Sequence, residues 1–339
     1  MNVSIALSSL IAEQGGRISF ERFMQFALHD PQHGYYARRI SAIGTKGDFT
    51  TTAEISPALP MAIAAWAVEA IRKTGVRHII EIGPGNGTLA AAVWKNLPML
   101  TRWRTTFHLV DSSAPLRDLQ QENPALKRAK FHADISSALA AAKEQSLIYS
   151  NELFDAFPAR VMRHNGNAWE ELFLRMIDGV ISEEWHEDSA FPWNSSHRFP
   201  EKNQRIEVPS AAIQWIKSWL PAWNKGAMLH IDYGHQAADV ARLSQFGTTR
   251  GYLLHQRVTG AALYQNIGRT DITYDVNFSD LIDAVAPFTS EHSIITQQEF
   301  LLPYADERNR GDQQAIDPHG AGTAFLVWTC TAKEDLKIA

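Results

Sequence analysis

The stretch that decides the fold is IIEIGPGNGTLAAAV, residues 79–93, in which an apolar run leads through three glycines into an alanine-rich segment. The apolar run predicts a buried strand, and the alanine-rich segment predicts a helix. Glycines at Gly83, Gly85 and Gly87 let the chain turn sharply and let a ligand lie against bare backbone. A strand, a glycine loop and a helix in this order predict a nucleotide-type pocket at the carboxyl end of a parallel sheet.

The residues around the glycines indicate which nucleotide binds. Thr88 stands where a dinucleotide-binding fingerprint has its last glycine, so a pyrophosphate is disfavoured. Carboxylates on either side suit the cationic amino group and the ribose hydroxyls of S-adenosylmethionine better than they suit an anion. The sequence therefore favours S-adenosylmethionine as cofactor, with an expected binding set that includes Glu81, Gly83, Gly85, Gly87 and, 30 residues after Glu81, Asp111. A nicotinamide oxidoreductase, and a plain turn followed by Asp111 as a helix N-cap, are the alternatives.

Composition narrows the class of protein. The 339 residues are 45% hydrophobic and 20% charged, which is typical of a globular chain with one or two domains. The net charge of -5, from 37 acidic against 32 basic residues, disfavours nucleic acid as a partner. Cys330 is the only cysteine in the sequence, which excludes an intrachain disulfide and fits a reducing compartment. The sequence has no secretory signal pattern and no 18-residue apolar run, so we expect a cytoplasmic protein without membrane insertion.

The alternation of elements predicts the fold class. Between residues 76 and 155, four apolar strands alternate with short helices, which favours an α/β fold with a parallel sheet and right-handed crossovers. Asp178-Gly179 predicts a hairpin in an antiparallel insertion. Two later apolar strands, GAMLHIDYG and TAFLVWTC, rejoin the sheet. Helical spacing predicts helices over residues 18–28, 58–71 and 278–286, and residues 235–273 read as a polar loop.

Six separated blocks carry a family resemblance: RFMQFALHDPQHGYYARR, IGTKGDFTTTAEISP, IEIGPGNGTL, SNELFDAFPARV, IDYGH and GRTDITYDVNF. Across nearly its whole length the chain resembles the methyltransferases typified by MidA and by the mitochondrial complex I assembly factor that dimethylates an arginine. It departs from the family pattern at Thr52-Ala53, at Leu59-Pro60-Met61 and at Ile267, on the expected substrate side.

The resemblance implies a class I, Rossmann-like methyltransferase with a mainly parallel seven-stranded sheet, an N-terminal helical segment and an antiparallel β/helical insertion that forms a cap. The expected divisions are residues 1–72 for the helical segment and a cofactor-covering loop, 73–160 and 226–339 for the core, and 161–225 for the cap. The implied activity is methyl transfer to an arginine of a protein partner, such as a respiratory-complex subunit. A non-catalytic assembly factor that keeps the cofactor pocket is the alternative, and a homodimer is left open.

The fourth strand ends in SNELFDAFP, which places three polar side chains at the carboxyl edge of the sheet. We expect Glu152 and Asp155 to be the catalytic carboxylates that orient a guanidinium, and Asn151 to hold the amino group of the cofactor. Turn capping by Glu152 and a solvated Asp155 are the structural alternatives.

Three other segments offer candidate residues. In GTKGDF, Gly44 and Gly47 are expected hinges of a loop that covers the cofactor, with Asp48 directed inward. His235 is a candidate base, with a hydrogen-bonding histidine of the loop as the alternative. Arg269 and Asp271 are candidates for substrate contact, with an ion pair that fixes the loop as the alternative. His29 and His33 have a metal-ligand spacing, but Pro31 breaks the helix that such a pair needs, so no metal is expected.

Overall fold

Sixteen strands are present in the residues that the computed structural model describes, which are 3–39, 56–188, 201–254 and 256–333. In chain order they are β1 Arg17–Ser19, β2 His78–Ile82, β3 Thr106–Val110, β4 Lys130–His132, β5 Leu147–Asn151, β6 Arg160–His164, β7 Trp169–Ile177, β8 Val180–Glu187, β9 Arg205–Val208, β10 Ala227–His235, β11 Arg250–Leu253, β12 Gln256–Val258, β13 Asp271–Thr273, β14 Val276–Asn277, β15 Thr289–Thr296 and β16 Phe325–Ala332.

The α-helices of the same described residues are α1 Val3–Glu13, α2 Phe20–His29, α3 Tyr35–Arg39, α4 Ala58–Thr74, α5 Thr88–Asn96, α6 Met99–Arg104, α7 Ala114–Glu122, α8 Ile135–Ala141, α9 Ser210–Trp219, α10 Phe278–Val285, α11 Gln297–Leu301, α12 Arg310–Ala315 and α13 Ala321–Ala324. Short 3-10 helices lie at Pro124–Leu126, Phe154–Ala156, Leu220–Ala222, Ala237–Arg242 and Gly260–Tyr264. Within the described residues, no helix combines the length and the apolar character that crossing a membrane requires.

The chain divides into two compact units, which we name by their sheets. The antiparallel-sheet unit consists of Met1–Phe49, Phe154–Gln214 and Gly234–Leu281, and the parallel-sheet unit consists of Thr50–Leu153, Trp215–Tyr233 and Ile282–Ala339. This division differs from the predicted boundaries, because α4 belongs to the parallel-sheet unit and residues 234–281 belong to the antiparallel-sheet unit.

A mainly parallel sheet organises its unit, in the order β15-β16-β10-β5-β2-β3-β4. The pairs from β4 to β10 are parallel, whereas β16 runs antiparallel to both β10 and β15. The expected α/β fold with a mainly parallel sheet is therefore confirmed for the described residues. Seven strands form this order, and β14, which pairs with β10, adds an eighth strand to the seven expected. Because the parallel strands share a direction, their carboxyl ends lie along one edge.

The core of this unit explains why its strands read as apolar runs. Helices α4 and α5 pack against one face of the sheet, where Ile79, Phe107 and Leu147 are at most 1% exposed. Burial of each such side chain contributes about 1.5–3 kcal/mol before entropy is counted. Helix α4 ends at Thr74, and the next residue, Gly75, is its C-cap, with a left-handed φ of 74°.

The antiparallel-sheet unit holds a sheet of order β1-β7-β6-β9 with β8 paired to β7, and a smaller sheet of order β12-β11-β13. The predicted hairpin is confirmed: Ile177 pairs with Val180, and Asp178 and Gly179 both have positive φ, 50° and 78°. A small apolar cluster in this unit consists of Met162, Ile206, Val208 and Val240.

Two predictions of local structure are wrong in this unit. Ile18 lies in β1, not in a helix, because it pairs with Leu174 of β7, and the helix begins at Phe20 with Ser19 as its N-cap. Residues 235–273 are not one polar loop: β11 pairs with β12 and β13 there, and Ile272 is buried completely.

We predict that Asp312→Ala destabilises the protein by about 1–3 kcal/mol. Asp312 is 2% exposed, and its carboxylate accepts hydrogen bonds from the Ser56 hydroxyl (2.6 Å) and from the backbone N–H groups of Ala58 (3.1 Å) and Asp306 (3.0 Å). Truncation leaves the buried Ser56 hydroxyl and the buried Ala58 N–H group unpaired at the start of α4. Urea denaturation checks the value, with exposed Asp118→Ala as the control; equal midpoints for both variants would contradict it.

Candidate functional site

The glycine loop has the backbone that its sequence predicts. Gly83, Gly85 and Gly87 have φ values of 68°, 54° and 78°, a left-handed conformation that glycine adopts without strain. A Cβ atom at Gly83 would lie 3.1 Å from a methyl group of Leu153, and one at Gly87 would lie 3.0 Å from a methyl group of Leu126. Gly87 is also the N-cap of α5. The loop therefore joins β2 to α5 with neighbouring side chains packed closely against it.

Asp111 follows the last residue of β3, on the strand next to the glycine loop. Its side chain is 9% exposed, and its Oδ1 accepts the backbone N–H of Ser113 at 2.9 Å. Burial raises the pKa of this carboxyl, while the hydrogen bond from Ser113 lowers it. The N-cap of α7 is Ser113, not Asp111, so the helix-capping alternative does not account for Asp111.

Gln120 is a residue of this edge that the sequence reasoning missed. It lies on α7, is completely buried, and donates from Nε2 to the carbonyl oxygen of Gly85 (2.8 Å) and to Oδ2 of Asp111 (3.4 Å). No motif marks a glutamine in an amphipathic helix for such a role. The one signal in the sequence is its position on the apolar face of the predicted helix, where a polar residue is unusual.

Glu81 lies two residues before the loop and is 2% exposed. Its Oε2 accepts a hydrogen bond of 2.5 Å from the hydroxyl of Tyr149 on β5. Burial raises the pKa of the Glu81 carboxyl to about 8, although the bond from Tyr149 acts in the opposite direction. A cation beside this carboxyl would favour its ionised form.

Asn151 is the last residue of β5, on the other side of β2 from β3, and Glu152 follows it. The Asn151 amide donates from Nδ2 to Oε1 of Glu152 at 3.0 Å. Among the described residues, Oδ1 of Asn151 is buried without a hydrogen-bond partner. A buried amide oxygen of this kind is a ready acceptor for a ligand ammonium or hydroxyl group.

The backbone of Glu152 is strained. Its φ of 52° is left-handed, which is uncommon for a residue with a side chain and recurs at functional sites. The Glu152 N–H donates to the carbonyl oxygen of Ile231 (2.9 Å), and the Tyr233 hydroxyl donates to Oε2 of Glu152 (3.4 Å). Asp232 accepts the N–H of Leu153 at 3.1 Å, which holds the next residue as well.

Asp155 lies in the antiparallel-sheet unit, whereas Glu152 lies in the parallel-sheet unit. Asp155 is 9% exposed and accepts a hydrogen bond of 2.8 Å from the Thr273 hydroxyl. Burial raises the pKa of Asp155 to about 6, against the lowering effects of Thr273 and of the Arg250 charge. Asp155 is therefore buried, not solvated.

Residues from two distant sequence blocks hold the short helix Phe154–Ala156 in place. The Tyr274 hydroxyl donates to the carbonyl oxygen of Phe154 (3.1 Å), and Nε2 of His29 donates to that of Ala156 (2.9 Å). His33 instead contacts Asp30 at 3.0 Å, so the two histidines have separate partners. Among the described residues, no group of three His, Cys, Asp or Glu side chains is arranged to hold a metal.

The remaining candidates are dispersed. Gly44, Gly47 and Asp48 lie outside the described residues. Within the antiparallel-sheet unit, Asp271 accepts a hydrogen bond from the Tyr36 hydroxyl at 3.5 Å and Arg269 is exposed. His235 is buried, at 8% exposure.

The parallel-sheet unit therefore brings together the ends of β3, β2 and β5 with a consistent chemistry. The groups at these strand ends accept hydrogen bonds or can carry a negative charge. They are the carboxylate of Asp111, the unpaired Oδ1 atom of Asn151 and the buried carboxyl of Glu81. Such a set fits a ligand that offers hydroxyl and ammonium donors, as S-adenosylmethionine does, and does not fit a pyrophosphate.

Comparison with known families agrees with this chemistry. Residues 62–293 match the model of a family described as "Putative S-adenosyl-L-methionine-dependent methyltransferase". The chain belongs to this family. It is an S-adenosylmethionine-dependent methyltransferase, and the predicted cofactor and the predicted MidA-type resemblance are confirmed. A nicotinamide oxidoreductase is not supported.

Named relatives and a solved structure extend the comparison. Protein arginine methyltransferase NDUFAF7, mitochondrial, from Xenopus tropicalis is 26% identical over 318 residues, which cover 84% of this chain and 71% of that protein. The Homo sapiens protein of the same name is 27% identical over 303 residues, 78% and 65% of the two chains. A crystal structure from Burkholderia thailandensis, bound to S-adenosyl-homocysteine, has a TM-score of 0.85 at 23% identity and covers 98% of this chain and 92% of that one, which shows a shared fold. The cytoplasmic location of the present protein stays a prediction.

We predict that Asp111→Asn weakens binding of S-adenosylmethionine by about 10- to 100-fold, because a hydrogen bond to a charged group contributes about 1.5–3 kcal/mol. Asparagine keeps the shape of the side chain and removes its charge. Isothermal titration calorimetry measures the change, and Asp118→Asn on the exposed face of α7 is the control. Unchanged affinity in Asp111→Asn would exclude Asp111 from cofactor binding.

We also predict that Glu81 shapes the pH dependence of stability. Its pKa is about 8 in the folded protein, above its value in an unfolded chain, so the folded state carries the extra proton between these two values. This group makes the free energy of unfolding fall by up to about 1.4 kcal/mol per pH unit as pH rises from about 5 to 8. In Glu81→Gln this contribution is absent.

Urea denaturation of both proteins at several pH values in that window measures the difference in slope. Other buried titrating groups are common to both proteins and cancel in the comparison. Parallel stability curves would contradict the raised pKa of Glu81.

Proposed function

We propose that this methyltransferase transfers the methyl group to an arginine side chain of a protein partner, with Glu152 as the carboxylate that orients the acceptor. The observation that carries the proposal is the Glu152 side chain, held by Asn151 and Tyr233 on a strained backbone beside the glycine loop. The names of the relatives at 26–27% identity, protein arginine methyltransferases, support the same acceptor class.

The chemistry requires little beyond alignment. S-adenosylmethionine supplies an activated methyl group on a sulfonium. The protein has to place the nucleophilic nitrogen in line with that group and to exclude water. A guanidinium is protonated at any physiological pH, so its nitrogen becomes nucleophilic only when carboxylates orient it and localise its charge. One such carboxylate accepts the proton released once the new bond forms.

The hydrogen bonds on Glu152 suit this role. Its two carboxylate oxygens receive bonds from the Asn151 amide and the Tyr233 hydroxyl, and these bonds set the plane of the carboxylate. The ring of Tyr233 packs on that of Phe325, with centroids 4.0 Å apart, which holds the hydroxyl in place. A fixed carboxylate plane is what bidentate binding of a guanidinium requires.

The catalytic role that the sequence suggests for Asp155 stays a prediction. A pKa of about 6 leaves this carboxyl mostly ionised at neutral pH, although it is buried. The Arg250 guanidinium, which donates to Asp275 at 2.6 Å in the same unit, is one source of the positive charge that favours this ionised form. This buried charge lies in the antiparallel-sheet unit, and no step of the proposed transfer is assigned to it.

We predict that Glu152→Gln lowers kcat by about 10²- to 10⁴-fold while the affinity for S-adenosylmethionine changes little, because the amide keeps the shape of the side chain but cannot accept a proton. Transfer of labelled methyl groups to arginines in an extract from a strain that lacks the gene, at saturating cofactor, measures the turnover rate relative to the wild type, and calorimetry measures affinity.

Glu291→Gln is the matched control for this prediction. Glu291 also has a φ of 52°, but it lies on β15 and is exposed, so both readouts should equal those of the wild type. Full turnover in Glu152→Gln would remove Glu152 from the mechanism. A wild-type protein that binds the cofactor and methylates no arginine would favour the non-catalytic assembly factor.

A further inference from the structure

Gln120 is a fully buried amide between two parts of the cofactor site. Its Nε2 group donates to the Gly85 carbonyl oxygen at 2.8 Å and to Oδ2 of Asp111 at 3.4 Å. Its Cγ atom would lie 3.3 Å from a Cβ atom at Gly87, so the same side chain also packs on the end of the loop. One residue of α7 thus contacts the loop after β2 and the carboxylate after β3.

The orientation of this amide follows from its surroundings. Both partners of Nε2 are acceptors, so a flipped amide would place Oε1 against a carbonyl oxygen and a carboxylate. With Nε2 in this position, Oε1 is buried and has no hydrogen-bond partner among the described residues. An unsatisfied buried oxygen costs stability and is rare in folded proteins. The two hydrogen bonds from Nε2 therefore contribute more free energy than the missing bond to Oε1 costs.

We infer that Gln120 is a positioning residue that sets the Asp111 carboxylate for the ribose hydroxyls of the cofactor, and thereby determines the preference of the site for a ribose over a deoxyribose. The inference rests on the assignment of Asp111 to the ribose and not on the identity of the methyl acceptor. Ser113 holds Oδ1 of Asp111 and Gln120 holds Oδ2, so the two bonds together determine the direction of the carboxylate.

The same bonds explain how a carboxylate is kept in a buried position. Burial raises the pKa of Asp111, and the hydrogen bonds from Ser113 and Gln120 lower it. Without Gln120 the carboxylate would lose one of its donors and would be free to turn away from the edge of the sheet. The bond to Gly85 would be lost as well, so the loop and the carboxylate would no longer be held at one spacing.

The test uses Gln120→Met, which keeps the length of the side chain and removes both donors. Calorimetry compares S-adenosyl-homocysteine with its 2′-deoxy and 3′-deoxy analogues. We expect the variant to lose about tenfold in affinity for the ribose ligand and far less for the deoxy analogue that lacks the contacted hydroxyl. Exposed Gln121→Met, the next residue of α7, should behave as the wild type.

A purely structural role for Gln120 predicts an equal loss for all three ligands, and that result would overturn the inference. Equal affinity of the wild-type protein for S-adenosyl-homocysteine and both deoxy analogues would overturn it as well, because Asp111 would then not contact the ribose hydroxyls. If Gln120→Met does not fold, Gln120→Asn, which stays polar but does not span the two acceptors, replaces it. The double variant gives a second check. If Gln120 acts through Asp111, adding Gln120→Met to Asp111→Asn should cause little further loss of affinity for S-adenosyl-homocysteine.

Discussion

The left-handed backbone at Gly83, Gly85 and Gly87 is the constraint on which the rest of the site depends. Because these residues have no Cβ atoms, Leu126 and Leu153 approach the loop from two sides, and the distances to hypothetical Cβ atoms are only 3.0 and 3.1 Å. The loop therefore packs closely against Leu153, which follows β5, and against Leu126 of the 3-10 helix that follows α7. A side chain at Gly83 or Gly87 would push these neighbours away and would change the spacing between Asn151 and Asp111.

Buried carboxyl groups give the site its chemical character. Desolvation raises the pKa of Glu81 and of Asp111, and hydrogen bonds from neighbouring residues offset this effect in both cases. A fold that carries several such groups is less stable than one with apolar residues in their place, so their presence indicates selection for binding or chemistry. Acceptors and anions are also what hydroxyl, ammonium and guanidinium groups require, and these are the groups of the cofactor and of the proposed acceptor.

The sequence predicts the parts of this structure that depend on local pattern. The glycine spacing, the apolar runs of β2, β3 and β5, and the hairpin at Asp178-Gly179 are all readable because each has a short-range physical cause. Strand β15 could not be predicted from the sequence, because it lies at the edge of the sheet and Thr289 is its only buried residue, so it shows no apolar run. The contacts of Gln120 and Tyr149 could not be predicted for a different reason. Gln120 contacts Gly85, 35 positions away, and Tyr149 contacts Glu81, 68 positions away, and no local pattern indicates such pairs.

The crystal structure of this protein with S-adenosyl-homocysteine tests the central claim most directly. The account predicts that the nucleoside lies across the backbone of the glycine loop, with its ribose hydroxyl groups within about 3 Å of the Asp111 carboxylate. It also predicts that the amino group of the ligand lies near Oδ1 of Asn151. A ligand bound elsewhere, or an Asp111 side chain that points away from the sugar, would contradict the account.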